Sequence, residues 1–264
     1  MKCLNVIILY DNRQEVETYL QDIAEVSGGT VDVALVVNRN TNRETVRIPQ
    51  SLRDRTRILD YGENVGYLNA LLKTIRDMDP DRYDYYILSN TDIRYEQKDF
   101  FRQLSDRRYP AEVGCIAPSV YSTKIRNYQN PHYRERIPRE KFEKLVRIFR
   151  YPLLGRLYLS IASLKGKLRS REKQESCFVY SPNGAYMIFT KAFIRLIQGY
   201  EYGTVLYSEE SCIGELLLRN RMKCFYDSTI EVIHRESTVT GRINYRKRFK
   251  AWRESMEYIL KEFY

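Results

Sequence analysis

The sequence predicts an α/β fold, a doubly wound and mostly parallel sheet. Three observations point there. Over about the first 90 residues, short apolar runs alternate with segments of helical spacing. The polar clusters Asp11-Asn12, Asn38-Arg39-Asn40 and Asn90-Thr91-Asp92 each follow an apolar run, at the strand ends where open α/β sheets bind ligands. Finally, 43% of the 264 residues are apolar, which supports a sizeable core in one domain.

Leu4–Tyr10 is an apolar run broken only by Asn5 and reads as a buried strand. In 13–26, Val16, Tyr19, Leu20 and Ile23 share one helical face, and Gly28-Gly29 ends the helix. Val31–Val37 is β-branched and apolar, a second buried strand, and 57–59 is a short third. Leu68, Leu71, Leu72 and Ile75 place an amphipathic helix over 65–78, stopped by Asp79-Pro80. Strands follow at 85–88, 113–120, 178–180 and 186–189. Helices are expected at 191–197 and 209–219, short strands at 223–226 and 230–234, and a closing amphipathic helix at 245–264. Residues 121–176 form a basic, partly helical insert between the two halves of the domain, 1–120 and 177–235, and 236–264 is a helical tail.

No apolar run reaches the ~18 residues of a membrane-spanning helix; Leu153–Leu164 comes nearest, and Arg156 interrupts it. The first ten residues lack a small-residue cleavage site and run into Asp11-Asn12-Arg13, so they read as a strand rather than a secretory signal. A cytoplasmic protein is expected, either free or peripheral on the cytoplasmic membrane face. Cys3, Cys115, Cys177, Cys212 and Cys224 are odd in number and far apart, without metal or redox spacing, and read as reduced thiols. No Gly-x-Gly-x-x-Gly follows the first strand and no Walker-type loop exists, which argues against a dinucleotide-dependent dehydrogenase and a P-loop enzyme.

Four constellations can carry chemistry. Asp92, behind a buried strand, could hold a hard cation together with a diphosphate, or simply close an Asx turn. Asn64, before Gly66, could cap a helix while the glycine admits a ligand close to backbone. Glu209-Glu210 begins a helix, where the dipole favours carboxylates, and one of them could be a general base. His234 ends a strand and reads as a structural residue or a ligand.

Taken in order, these pieces resemble the family 2 glycosyltransferases with the A-type nucleotide-sugar fold. The matching segments are Val6–Asn12, Leu35–Asn38, Glu63–Tyr67, Leu88–Asp92, Asn183–Ile188, Leu206–Glu210 and Val232–His234. Ser255–Tyr258 is similar to the closing helix of bacterial capsule and O-antigen polysaccharide members. The resemblance implies that 1–120 is a Rossmann-like half binding a nucleoside-diphosphate sugar through Tyr10, Asn12, Asn38, Asn64, Gly66, Asn90, Thr91 and Gly184. It implies Mg²⁺ or Mn²⁺ at Asp92, with His234 touching metal or diphosphate. Glu210 stands at the family's catalytic carboxylate, with Glu209 as the second candidate base, and the implied reaction is inverting transfer to a hydroxyl of a glycan or lipid-linked saccharide. Asn38 and Asn90 stand where the family commonly has acids, and Cys212 where an Asp often follows the carboxylate pair.

The net charge of +10 is concentrated in the insert. Residues 134–173 hold 13 Lys/Arg against 4 Glu, a net +9 that leaves +1 for the rest. Phe142, Leu145, Val146, Phe149, Leu153, Leu154, Leu157, Ile161 and Leu164 recur there at near-helical spacing. A basic helix pair packed on the domain and an interfacial surface for anionic lipid both fit. A nucleic-acid reader would interleave its cations with stacking aromatics. The residues here are mainly aliphatic, so no nucleic-acid partner is expected, and a basic nucleic-acid-binding or non-catalytic α/β protein is the alternative reading.

Overall fold

The structure, a computed structural model, describes residues 1–76, 78–168 (the side chains of 163–168 apart), 172–236 and 245–264. The expected insert residues 169–171 and the side chain of Leu164 lie outside the described residues, as do residues 237–244 of the tail.

One mixed sheet organises the chain. Its strands are β1 (Cys3–Tyr10), β2 (Val31–Arg39), β3 (Thr56–Asp60), β4 (Tyr85–Ser89), β5 (Ile93–Arg94), β6 (Val113–Ser122), β7 (Asn127–Tyr128), β8 (Cys177–Val179), β9 (Tyr186–Thr190) and β10 (Lys223–His234). The order is β3-β2-β1-β4-β9-β6-β10-β5, with β7 on β6 and β8 on β10. The pairs β1–β2, β2–β3, β1–β4 and β6–β10 are parallel. Strand β9 lies antiparallel between β4 and β6, so β3, β2, β1, β4, β6 and β10 all run one way.

Alternate residues of β1 face opposite layers, as a strand fully buried on both sides requires. Ile7 and Leu9 meet α1 (Arg13–Val26) and α3 (Phe100–Asp106) through Val16, Tyr19, Leu20, Phe100 and Leu104. Leu4 and Val6 belong to the other core, with α2 (Tyr67–Ile75), α6 (Lys191–Ile197) and α7 (Glu209–Arg219). The insert supplies α4 (Arg139–Phe149) and α5 (Pro152–Leu168), and α8 (Tyr245–Phe263) closes the chain. Phe142 and Phe149 of α4 are buried, and Phe149 stacks on Phe249 of α8 with ring centroids 5.4 Å apart. Each such buried ring is worth roughly 1.5–3 kcal/mol, which fixes α4 to α8.

Several expected boundaries shift for local reasons. Helix α2 starts at Tyr67 rather than 65, because Gly66 holds φ +89°, outside helical backbone. The two expected short strands at 223–226 and 230–234 are one strand, β10, whose register with β6 shifts between Asp227 and Glu231. Asp227 there accepts the amide of Thr229 at 2.9 Å, an Asx turn that puts the extra residues into a bulge. Cys3, Cys115, Cys212 and Cys224 are buried, Cys177 is partly buried, and all five are free thiols. No helix among the described residues is long and apolar enough to cross a membrane.

Candidate active site

The carboxyl ends of β1, β2, β4 and β10 open into one cleft of about 520 Å³. Tyr10, Asn12, Asn38, Asn64, Gly66, Asn90, Thr91, Asp92 and His234 line it, so these nine sequence-predicted residues meet in space. Gly184, Glu209 and Glu210 are not among the lining residues; Tyr67, which is, bonds the Gly184 carbonyl, and the Gly184 amide bonds Glu210.

Beneath the cleft is a buried polar floor. Asn5 donates to Tyr19 Oη at 2.8 Å, Ser89 Oγ donates to Asn5 Oδ1 at 3.0 Å, and Tyr19 Oη contacts Ser89 Oγ at 2.7 Å. Tyr95 joins Tyr19 at 3.0 Å and Tyr186 at 2.8 Å. A satisfied buried network of this kind fixes backbone position, here the end of β4 from which Asn90, Thr91 and Asp92 project.

The asparagines shape the walls. Asn12 accepts the amide of Tyr10 at 2.7 Å and donates to Thr91 Oγ1 at 2.8 Å, while Thr91 donates to Glu15 at 3.2 Å. Asn38 accepts from the Val65 amide at 3.2 Å and donates to the Gly66 carbonyl at 3.1 Å. An Asp could not make the second bond, so the carboxamide has a structural reason to stand at 38. Asn64 does not cap α2, contrary to expectation; it accepts the Gly66 amide at 3.0 Å, and Gly66 is itself the residue before the helix. Nor is Gly66 left open for ligand approach alone. A Cβ there would stand 2.1 Å from the Val205 carbonyl oxygen, so the glycine admits the 203–207 loop, whose Val205 carbonyl accepts the Tyr67 amide at 3.2 Å.

Asp92 and His234 converge from different strands. Asp92 is buried, and its Oδ1 stands 3.3 Å from His234 Nε2. The other imidazole nitrogen, Nδ1, is 2.7 Å from Gln129 Oε1, and Gln129 Nε2 donates to Glu236 at 2.9 Å. A carboxylate only accepts, so the Gln129 amide group must face Glu236 and its oxygen must face the histidine. Nδ1 therefore carries a proton, and Nε2 is turned toward the Asp92 carboxylate. A hydrogen-bond partner on the far ring nitrogen orients the imidazole, as outer partners do for metal-binding histidines. Among the described residues no three His, Cys, Asp or Glu gather to hold a metal. One carboxylate and one imidazole nevertheless fit a divalent ion that takes its remaining ligands from substrate phosphates and water.

The carboxylate pair opens α7 on strained backbone. Tyr207 (φ 75°) and Ser208 (φ 60°) are both left-handed, a conformation that non-glycine residues hold only when neighbours enforce it. Ser208 Oγ meets Ser255 Oγ of α8 at 2.9 Å, the Tyr207 ring packs on Trp252 at 5.2 Å, and Glu209 accepts the Tyr207 amide at 2.9 Å. Glu209 is buried, and burial first and the nearby Glu210 second push its carboxyl above the ordinary range. Glu210 is only partly buried and accepts the Gly184 amide at 3.2 Å. Tyr67, which lines the cleft, donates to the Gly184 carbonyl at 2.7 Å. Burial raises the Tyr67 phenol well above its usual value, and the negative charges of Glu209, Glu210 and Asp92 add to it.

The cleft also contains residues not expected from sequence: Glu15, Lys124, Gln129, Glu236 and Arg248. Glu15 had a signal, three residues after Asn12 in the first turn of α1. Lys124 and Gln129 arrive on the β6–β7 hairpin and Arg248 on α8, and only tertiary pairing brings them in.

No family model matches the chain, and no curated protein matches it. Solved structures do. A mannosyltransferase from Pyrobaculum calidifontis, in complex with GDP-Man and Mn²⁺, aligns with TM-score 0.55 at 10% identity over 90% of this chain. GalNAc-T7 with UDP, GalNAc and Mn²⁺ aligns with TM-score 0.53 at 9% identity over 97%. TarS residues 1–349 of S. aureus aligns with TM-score 0.51 at 12% identity over 87%. The fold is of the GT-A type, that of nucleotide-sugar glycosyltransferases. The chain spans 58%, 50% and 61% of those three structures, respectively.

Proposed function

We propose that this chain is an inverting glycosyltransferase that moves a sugar from a nucleoside-diphosphate sugar to a hydroxyl of a glycan or lipid-linked saccharide, with a divalent cation, Mg²⁺ or Mn²⁺, assisting. One observation carries the reading. The Asp92–His234 pair lines the same GT-A cleft that Tyr67 and Gly184 tie to Glu210. Neighbours of this fold solved with Mn²⁺ and a nucleotide or nucleotide sugar support it, as does the order of the motifs along the chain.

The cleft walls built by Tyr10, Asn12, Asn38, Asn64 and Gly66 receive the nucleotide, and Asn90 and Thr91 set the depth at which its diphosphate sits. Asp92 and His234 hold the cation. When bound, the cation supplies positive charge that offsets the charge growing on the departing diphosphate. Lys124 and Arg248 add protein-borne positive charge on the same cleft. Glu210 takes the proton of the acceptor hydroxyl as that oxygen bonds to the anomeric carbon on the face opposite the leaving group, so the configuration inverts. Glu209 holds the strained loop that aims Glu210, and Gly184 fixes the Glu210 carboxylate.

Incubation with a panel of nucleoside-diphosphate sugars, Mn²⁺ and glycan acceptors tests the reading. Wild type should release nucleoside diphosphate and form a product of inverted anomeric configuration. Glu210→Gln should cut transfer by roughly 10²–10⁴-fold while nucleotide affinity stays near wild type. Transfer by Glu210→Gln at the wild-type rate would remove the assignment of the base.

A further inference from the structure

We infer that the outer face of α5, with the cations beside it, is a docking surface for an anionic lipid bilayer. The two helices of the insert differ in burial. Helix α4 spends its apolar side on the protein, with Phe142 and Phe149 buried. Helix α5 does not: Leu153 is 79% exposed, Leu154 51%, Leu157 59% and Ile161 48%. Their spacing puts all four on one helical face. Gly155 sets which face that is. A Cβ there would stand 3.0 Å from Phe149 and 3.1 Å from Phe249, so α5 rests on the core through its glycine and turns the leucines outward.

The rim of this stripe matches a charged headgroup layer. Arg147, Arg150 and Arg156 are exposed, as are Arg246 and Lys247 at the start of α8. Tyr151 and Tyr245 are exposed aromatics of the kind that settle at a membrane interface. The Arg156 guanidinium lies 5.1 Å over the Tyr245 ring, which joins the helices into one patch. An apolar stripe flanked by cations lies in the plane of an anionic surface. A second copy of this chain on a two-fold axis would instead bring the same cations against themselves.

The patch adjoins the cleft. Arg248, one turn beyond Tyr245, lines it. If the proposed transfer holds, the acceptor delivered there is lipid-borne; the membrane contact itself does not depend on that reading.

Sedimentation with vesicles tests the surface without using activity. Wild type should bind vesicles of equal phosphatidylglycerol and phosphatidylcholine at low salt, release at high salt, and ignore phosphatidylcholine alone. Leu153→Glu with Leu157→Glu should abolish binding. Arg150→Ala with Arg156→Ala should weaken it roughly 25-fold, about fivefold per cation. All four side chains are exposed, so both variants should melt at the wild-type temperature. The inference is overturned if wild type fails to bind anionic vesicles, if both variants bind as wild type does, or if light scattering shows a dimer that Leu153→Glu with Leu157→Glu makes monomeric.

Discussion

His234 Nε2 stands 3.3 Å from Asp92 Oδ1, and the imidazole is held in that pose from behind by Gln129 at 2.7 Å. Residues from the end of β10, the turn after β4 and the β7 hairpin therefore act as one unit. Removing the outer partner should loosen the ligand without removing it. Gln129→Ala is expected to weaken Mn²⁺-dependent nucleoside diphosphate binding by roughly 10–100-fold, measured by titration calorimetry. Binding in the presence of a chelator should not change. An equal loss with and without metal would mean that Gln129 touches the nucleotide directly.

Gly184 and Glu210 offer a test that separates positioning from stability. A Cβ at Gly184 would stand 2.7 Å from Glu210 Oε1, the far end of a side chain that can turn aside. Gly184→Ala should therefore fold with a stability change under about 1 kcal/mol in urea. Its transfer rate should fall roughly tenfold or more if Glu210 is the proposed base, because the carboxylate is displaced. A large loss of stability with the rate retained would contradict the role given to this glycine.

Gly66 should behave in the opposite way. It combines φ +89° with a Cβ position 2.1 Å from the Val205 carbonyl oxygen, and backbone cannot turn aside as a side chain does. Gly66→Ala is expected to cost roughly 2–4 kcal/mol in a urea melt. A loss near zero would show that the 203–207 loop is free to lift from α2.

Glu209 carries a pH dependence with a definite sign. Burial, then the charge of Glu210, pushes its carboxyl from 4.5 up to about 8. Between those values the unfolded chain binds fewer protons at this site than the folded chain, so stability falls as pH rises through that window. Glu209→Gln keeps an acceptor for the Tyr207 amide and removes the titration. Its stability gain over wild type should increase from pH 5 to pH 8, on the order of 1 kcal/mol or more. A difference that does not vary with pH would contradict the raised value.

The fold was legible where periodicity is sustained. Helices α1, α6 and α7 begin and end where their apolar spacing says, and β1, β2 and β4 follow from apolar runs broken only by Asn5 and Asp32 before their polar ends. Helix α3 was not legible, because Phe100-Phe101 and Leu104 fill seven residues, too few to show a period. Nine of the cleft-lining residues were legible because strand ends in an open α/β sheet share one edge. Their bonding was not: Asn38 is spent on Val65 and Gly66, 27 and 28 residues away, and His234 depends on Gln129 at a separation of 105. In the insert, spacing identified the apolar residues of both helices. Which of the two is covered depends on Gly155 meeting Phe149 and Phe249, a contact that no local pattern encodes.

We propose that the Asp92–His234 cleft binds a nucleoside diphosphate through a divalent cation. Calorimetric titration of wild type and Asp92→Asn with GDP and UDP, each with Mn²⁺ and again with excess chelator, tests it most directly. Wild type should bind at least one of the two tightly with Mn²⁺ and at least tenfold more weakly with chelator, as a metal held through few protein ligands and the phosphates requires. Asp92→Asn should bind equally weakly in both conditions. Equal affinity of wild type with and without Mn²⁺, or metal-dependent binding that survives in Asp92→Asn, would contradict the account.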